Sequence, residues 1–254
     1  MASEGGVFFA HDFETGELGP WDNLSDPRAD HVKVTDDPAR VFRGRHSAEM
    51  TAQHGPETGG KLVKWFLPGH DQVHARWYCM FAEDFDQGNY LHFCNLMGGP
   101  PHDRFAAFGK AGKQPNGSDF FITGLDPYRE YGRYPAPGAM GFYTYWPEMK
   151  QSGDGHYWGN AFMSDPLVVI ERGRWYCMEM MLKLNTPGEH DGEQAAWIDG
   201  ERVIHAIGLR WRDTDELKIH CFWLELYIHH SPKLNRVWFD EVVLSTEYIG
   251  PVEG

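Results

Sequence analysis

Long hydrophobic runs are absent from the 254-residue sequence. No stretch of about 18 consecutive apolar residues occurs, and this excludes a membrane-spanning helix. The first residues, MASEGGVFF, contain neither the basic segment nor the long apolar core of a secretory signal. The chain is therefore either cytoplasmic or a secreted protein whose signal has been removed.

Basic residues are scarce. The chain has 23 lysines and arginines against 37 aspartates and glutamates, which gives a formal net charge of -14. Because such a molecule repels an extended phosphate backbone, general nucleic-acid binding loses its electrostatic support. We expect neither a nucleic-acid nor a membrane partner, although a local basic groove is compatible with this charge.

Only four cysteines occur, and no two of them form a Cys-x-x-Cys pair. The absence of that spacing argues against a zinc ribbon and against a thioredoxin-type redox pair. All four lie in strand-like runs, where a buried free thiol is the simplest interpretation and a disulfide is the alternative. They are Cys79, Cys94, Cys177 and Cys221.

Helical periodicity is also missing, because no segment keeps a 3.6-residue apolar repeat over three turns. Strand-like runs bounded by turn residues recur instead. These runs cover residues 7–13, 47–51, 61–66, 73–81, 90–97, 104–109, 119–123, 139–146, 175–184, 194–198, 218–229 and 237–245. About a dozen strands predict a sandwich of two packed antiparallel sheets.

Two long loop-like segments interrupt the strands, at residues 100–138 and 147–165. Both lie between strands, where long loops commonly form functional rims. We therefore predict one all-β domain over residues 1–254, with 41% hydrophobic and 15% aromatic residues available for its core.

The run KIHCFWLELYIHH has two different faces. Because side chains alternate along a strand, one face is apolar and the other carries Trp223, Glu225, Tyr227 and His229. The second face is typical neither of a core nor of an ordinary solvated surface. Aromatic rings beside hydrogen-bonding groups suit sugars, whose C–H faces stack on rings while their hydroxyls need directional partners.

Two further runs show the same mixture. HARWYCMF places His74, Arg76 and Tyr78 on one face, and GAMGFYTYW places Tyr143 and Tyr145 on one face. If the three rows belong to one concave sheet, the protein holds an oligosaccharide across it. The alternative is that these aromatic residues fill separate local gaps.

The run YLHFCNL adds His92 and Asn95 as candidates. The strand face of His92 is ambiguous, because Leu91, Phe93 and Met97 share parity with Asn95. A half-buried structural histidine is the alternative interpretation.

A family resemblance begins in one long segment, GRWYCMEMMLKLNTPGEHDGEQAAWIDGERV. It resembles the strand-turn-strand segment of jelly-roll polysaccharide lyases of the alginate lyase and glucuronan lyase type, and of related fungal cellulose-induced proteins. The shared features are GRWYC, KLNTPG followed by DG, and WIDGERV. Similar matches are HDFETGELGPW to the opening strand, FRGRHSAEM to the next and NRVWFDEVVLSTEYIGP to the closing strand.

The resemblance implies a concanavalin-like β-jelly roll of two antiparallel sheets. It also implies a secreted lyase that cleaves a uronic-acid polysaccharide, of the glucuronan or alginate type, by β-elimination. We expect a polysaccharide substrate and a monomer. A structural calcium commonly ties the first and last strands of this group together, and the matching positions are Glu14 and Asp240.

A lyase of this kind needs a group that neutralises the sugar carboxylate, together with a base and an acid. The hypothesis from the sequence is that Arg76 pairs with the carboxylate. One of Tyr143, Tyr145 or Tyr227 removes or returns the proton, and His74, His92 or His229 assists. The expected substrate-binding residues are Tyr78, Asn95, Trp223 and Glu225.

The main alternative is a non-catalytic carbohydrate-binding jelly-roll protein, which keeps the aromatic rows but needs no base. Glycoside hydrolysis is disfavoured, because it requires two carboxylates across the site and the sequence indicates no clear second carboxylate to act with Glu225.

Overall fold

The computed structural model describes residues 6–22 and 30–253. Within these residues the chain forms β-strands joined by turns and short 3-10 segments, such as Pro38–Arg40, and no α-helix. The strands are β1 (Val7–His11), β2 (Val32–Thr35), β3 (Ser47–Ala52), β4 (Gly55–Thr58), β5 (Lys61–His70), β6 (Gln72–Phe81), β7 (Leu91–His92), β8 (Cys94–Gly99), β9 (Phe121–Tyr128), β10 (Gly138–Tyr145), β11 (Asn160–Met163), β12 (Val169–Ile170), β13 (Trp175–Lys183), β14 (Gly192–Ile198), β15 (Glu201–Leu209), β16 (Lys218–Glu225), β17 (Tyr227–Ser231) and β18 (Asn235–Ser245).

The strands form two large antiparallel sheets and one small one. The first sheet has the order β15-β14-β13-β6-β18-β3-β2, and β1 also pairs with β18. The second sheet has the order β11-β10-β9-β8-β16-β5, and β12 also pairs with β10. The small sheet, β4-β17-β7, continues one end of the second sheet.

The core lies between the two large sheets. It consists of the alternating apolar residues of both sheets, and Trp77 of β6 lies at its centre, fully buried. The Trp77 ring centroid is 5.9 Å from that of Phe222 on β16 and 6.4 Å from that of Phe93. Burial of large aromatic surface of this kind is the main force that holds two such sheets together.

All four cysteines are buried and unpaired, as the simplest interpretation of the sequence predicts. Cys79 is completely buried, and burial raises the pKa of its thiol far above the usual range. These thiols therefore act as small apolar groups rather than as nucleophiles.

Three strand predictions need correction. Residues 104–109 form turns rather than a strand, and the Phe108 N–H donates to the Phe105 carbonyl at 2.8 Å. The apolar side chains of this segment pack against neighbouring apolar side chains. The run 218–229 divides at residue 226 into β16 and β17, because the second half joins the small sheet. The run 90–97 likewise divides, at residue 93, into β7 and β8. Strands β2, β4, β11 and β12 are short and β15 is mostly exposed, and all five lie outside the predicted runs.

In the part of the chain that the structure covers, no helix has the length and apolar character needed to traverse a membrane.

Candidate active site

A groove runs over the outer face of the second sheet, opposite the core. It consists of two adjoining cavities of about 360 and 530 Å³, within the usual size range of ligand sites. Both cavities are lined by His92, Ala111, Tyr143 and Tyr145. The first cavity adds Asn95, Lys110, Trp223, Glu225 and Tyr227, and the second adds Tyr90, Asp126, Trp158 and His229.

The register of four neighbouring strands produces one row across this groove. Tyr143 on β10 pairs with Gly124 on β9, Gly124 with Asn95 on β8, and Asn95 with Trp223 on β16. Directly paired residues point to the same face of a sheet. Tyr143 and Trp223 therefore point away from the core, as the sequence predicts, and Asn95 lies in the same row.

Gly124 is required in that row. A Cβ atom at this position would lie 2.3 Å from Asn95 Oδ1 and 3.1 Å from Asp126 Oδ1. The absence of a side chain at Gly124 therefore makes room for the Asn95 amide and the Asp126 carboxylate on this face of the sheet.

His92 is held by a buried carboxylate. Its Nδ1 lies 3.0 Å from Asp126 Oδ2, and Asp126 Oδ1 accepts the Phe93 N–H at 2.8 Å. Asp126 is buried, whereas 31% of the His92 side chain is exposed in the groove. A carboxylate at Nδ1 fixes that nitrogen as the donor, so Nε2 is the ring nitrogen that could exchange a proton with a ligand.

The ambiguity about the face of His92 is resolved by a strand break. β7 ends at His92 in the small sheet, and β8 begins at Cys94 in the second sheet. Because Phe93 turns into the core between them, simple alternation fails, and His92 and Asn95 both line the groove.

Tyr143 and Tyr145 lie side by side on β10, with their hydroxyl oxygens 3.4 Å apart. Burial, and then the hydrogen bond with Tyr145, raise the pKa of Tyr143 well above its ordinary value of 10.0. The Tyr143 hydroxyl therefore keeps its proton at physiological pH. This favours Tyr143 as a proton donor rather than as a base.

Tyr227 and His229 lie on β17 beside His92. The His92 ring centroid is 6.1 Å from that of Tyr227, with the rings nearly parallel, and 5.2 Å from that of His229. Burial, followed by the neighbouring His92, lowers the pKa of His229. His229 is thus neutral near pH 7 and adds an aromatic wall to the groove rather than a charge.

Asn95 and Glu225 form a polar pair at the base of the first cavity. Asn95 Nδ2 donates to Glu225 Oε2 at 3.0 Å, and both residues are buried. Lys61 on β5 is the direct cross-strand neighbour of Glu225, and its Nζ is 4.2 Å from the centroid of Trp223. The predicted binding residues Asn95, Trp223 and Glu225 therefore lie together.

Sequence reasoning missed Lys110, Asp126 and Lys61. Lys110 lines the first cavity from the loop before β9, and loops have no periodicity from which a face could be inferred. Asp126 interrupts the apolar run of β9, ITGLDPY, and a lone carboxylate in such a run is a signal that could have been used.

The predicted residues His74, Arg76 and Tyr78 do not lie in the groove. They belong to β6, which is hydrogen-bonded between β13 and β18 in the first sheet. Their side chains point to the outer face of that sheet, where residues 248–253 cover them. Placing them beside the tyrosines is wrong, because alternation separates core-facing from outward-facing residues but does not say to which sheet a strand belongs.

Around His74 and Glu179, the outer face of the first sheet is a closed polar layer. His74 Nδ1 lies 2.8 Å from Glu179 Oε1, and both side chains are at most 5% exposed. The carboxylate of Glu179 also accepts the N–H groups of Ile249 and Gly250, at 3.0 and 2.8 Å. Substrate could not reach this pair without displacing the carboxyl-terminal segment.

The predicted calcium ligands Glu14 and Asp240 both hold the loop between β2 and β3. Glu14 Oε1 accepts the N–H groups of Arg45 and His46, each at 2.8 Å. Asp240 Oδ2 accepts those of Phe42 and Arg43, each at 3.1 Å. Backbone N–H donors occupy the positions that a cation would take, so these two oxygens fit calcium poorly.

Among residues 6–22 and 30–253, no cluster of three or more histidine, cysteine or acidic side chains could hold a metal ion. A structural calcium stays a prediction from the resemblance alone.

The fold and the groove define a jelly-roll protein with an open, aromatic and polar site on one sheet. Comparison with protein families is consistent with this class: the model of polysaccharide lyase family 14 matches residues 135–228. That segment carries Tyr143, Tyr145, Trp223, Glu225 and Tyr227. No curated protein sequence matches the chain.

Solved structures confirm the fold over almost the whole chain. The alginate lyase Aly36B, solved as a double mutant with alginate tetrasaccharide, is 14% identical with a TM-score of 0.67, covering 96% of this chain and 98% of its own. The endo-β-1,4-glucuronan lyase of the fungus Trichoderma reesei is 15% identical with a TM-score of 0.59, covering 95% and 96%. The cellulose-induced protein Cip1 is 15% identical with a TM-score of 0.59, covering 96% and 100%.

The resemblance seen in the sequence is therefore confirmed, as is the β-jelly-roll fold. At this identity the structures establish the architecture, whereas activity depends on the chemistry of the groove.

Proposed function

We propose that this protein is a polysaccharide lyase that cleaves a uronic-acid polymer by β-elimination in the groove over the second sheet. The observation that carries the proposal is the convergence of a carboxylate-held histidine, a tyrosine and an amide in one groove. These are His92, Tyr143 and Asn95, from three different strands. Family similarity supports a lyase at the level of the class.

In β-elimination a base removes the proton on C5, next to the sugar carboxylate. The C4–O4 bond then breaks, a C4–C5 double bond forms, and the departing oxygen takes up a proton. We assign the base to His92 Nε2, because Asp126 holds Nδ1 and stabilises the charge that the ring acquires. We assign the acid to Tyr143, whose hydroxyl stays protonated.

The C5 proton is acidic only when the charge of the carboxylate is neutralised. In place of Arg76, Lys110 is the cation in the lining of the first cavity. The Asn95 amide nitrogen donates to the Phe93 carbonyl and to Glu225 Oε2, so it positions Glu225 at the base of the cavity. Trp223, Tyr227 and Tyr145 would stack on or hydrogen-bond to flanking sugars. The substrate is then a chain of carboxylate-bearing sugars, and we expect the protein to act outside the cell as a monomer, without a need for calcium in catalysis.

The test compares two tyrosine variants on glucuronan and alginate, with the ultraviolet absorbance of the unsaturated uronate product as readout. Tyr143→Phe should reduce kcat by about 10²-fold or more, because the leaving oxygen loses its proton donor. Tyr248→Phe is the matched control, since Tyr248 belongs to the carboxyl-terminal segment over the first sheet, outside the groove, and is 49% exposed. Equal activity of the two variants would remove Tyr143 from the mechanism.

A second candidate function is carbohydrate binding without catalysis. It is favoured by three aromatic side chains around His92, which could bind a sugar ring without catalysing a reaction. They are Tyr143, Tyr227 and His229. Retardation of a polyuronate in an affinity gel, with no unsaturated product on any polymer, would select this function.

A further inference from the structure

A separate cavity of about 490 Å³ lies on the outer face of the first sheet. Its walls are the carboxyl-terminal residues 248–253, Val243 and Ser245 of β18, Val7 of β1, and two arginines, Arg43 and Arg76. The volume is within the range of small-molecule sites. Because the groove lies on the other sheet, this cavity is independent of the proposed lyase reaction.

Arg76 is a buried cation with very few partners. Only 3% of it is exposed, its Nε has no hydrogen-bond acceptor, and its Nη1 reaches the Gly250 carbonyl at 3.5 Å. Within the described part of the chain, no carboxylate lies at ion-pair distance from its guanidinium. A buried charge in this condition is costly, so an external anion would stabilise the arrangement.

The acidic cross-strand neighbour of Arg76 does not supply this anion. Glu179 is paired with Arg76 across β13 and β6, but its carboxylate binds His74 and the N–H groups of Ile249 and Gly250. Glu253 is the acidic residue in the cavity lining, and it is exposed. Neither residue closes the space between the two arginines.

We propose that this cavity binds a small carboxylate ligand, of the size of one or two uronate sugars, between Arg43 and Arg76. A guanidinium presents its N–H groups in a planar fork that matches a carboxylate. Arg43 is exposed and can contact the ligand from the solvent side, whereas the buried Arg76 forms the floor of the cavity. Val7, Val243 and Pro251 provide apolar edges for the C–H face of a sugar ring, and Ser245 provides a hydroxyl.

The test is a calorimetric titration of the full chain with sodium glucuronate, with glucose as the uncharged control. Glucuronate should bind and glucose should not. Arg43→Gln should weaken binding by about tenfold or more, because one charged contact is lost. Arg45→Gln is the matched control, since Arg45 is an exposed arginine of the same loop outside the cavity.

Three further variants make the outcome decisive. Arg76→Gln should also weaken binding, and Arg43→Gln gives the answer if Arg76→Gln does not fold. Glu253→Gln should strengthen binding a few-fold, since it removes a like charge from the lining. If Lys110→Gln rather than Arg43→Gln abolishes binding, glucuronate occupies the groove and the proposal is wrong; equal binding by Arg43→Gln and wild type would also overturn it.

Discussion

The outer faces of the two large sheets carry the same kinds of residues and differ in what covers them. On the first sheet, His74, Arg76 and Tyr78 lie beneath the carboxyl-terminal segment. His74 contacts the Glu179 carboxylate there and is shielded from solvent. On the second sheet, His92 and Tyr143 open into a groove. The same side-chain chemistry therefore contributes to stability on one sheet and to a candidate site on the other.

The largest expected difference between the two faces is in catalysis. His92→Ala should lower kcat by about 10²- to 10⁴-fold, because the proposed base is lost. His205→Ala is the control, since His205 is a partly exposed histidine on β15, outside the groove, bonded to Glu193. The product assay on a polyuronate checks this, and a His92→Ala variant with unchanged kcat would exclude His92 as the base.

The second difference is in stability. His74→Ala should lower the free energy of unfolding by about 3 kcal/mol, because it leaves the buried carboxylate of Glu179 without its side-chain partner. The kcat of the folded fraction should not change, since His74 does not reach the groove. Urea unfolding of the variant and the wild type measures the effect; an intact stability with a lost activity would place His74 in the catalytic site after all.

The sequence predicts structural properties that depend on neighbouring residues, but not those that depend on residues far apart in the chain. Alternation along β6, β10 and β16 is local, and it correctly separates Trp77 from Arg76 and Phe222 from Trp223. The sheet to which β6 belongs is decided by pairing with β13 and β18, far away in sequence. Sequence analysis therefore found the outward-facing rows but could not tell which row would be covered.

In the candidate site, too, the sequence predicts residues that lie within strands but not residues whose position depends on a loop. Tyr143, Trp223 and Glu225 could be predicted because each lies within a regularly alternating strand, whereas Asn95 could be named only as a neighbour of His92. Lys110 was missed because its position depends on the path of a loop. Arg76 was chosen as the cation in its place because it lies within a strand whose alternation is easy to recognise.

A third prediction concerns pH and the first sheet. Burial raises the pKa of Asp240 from 3.8 to about 7, in spite of three N–H bonds to its carboxyl group. Because the folded state then holds a proton that the unfolded state has released, this residue makes stability fall as pH rises from 3.8 to about 7. The loss is of the order of 4 kcal/mol at most.

Urea unfolding below and above this pH window measures the loss, with Asp240→Asn as the comparison. The variant should lose the part of the pH dependence that Asp240 contributes, because its amide does not titrate. If wild type and variant have the same slope of stability against pH, the Asp240 carboxyl group has an ordinary pKa.

The smallest effect is expected from chelation of calcium. Since backbone N–H groups already bind Glu14 and Asp240, removal of calcium should leave Tm nearly unchanged. Thermal unfolding with added calcium and with chelator checks this. A large fall in Tm with chelator would restore the metal site that the resemblance implies.

The most direct test of the central claim is incubation of the wild-type chain with glucuronan and with alginate, followed by ultraviolet absorbance of the unsaturated product. The groove chemistry predicts a rise on at least one polymer, and loss of that rise in His92→Ala. A wild-type chain that binds these polymers but forms no unsaturated product would contradict the assignment of a lyase and identify the groove as a binding site only.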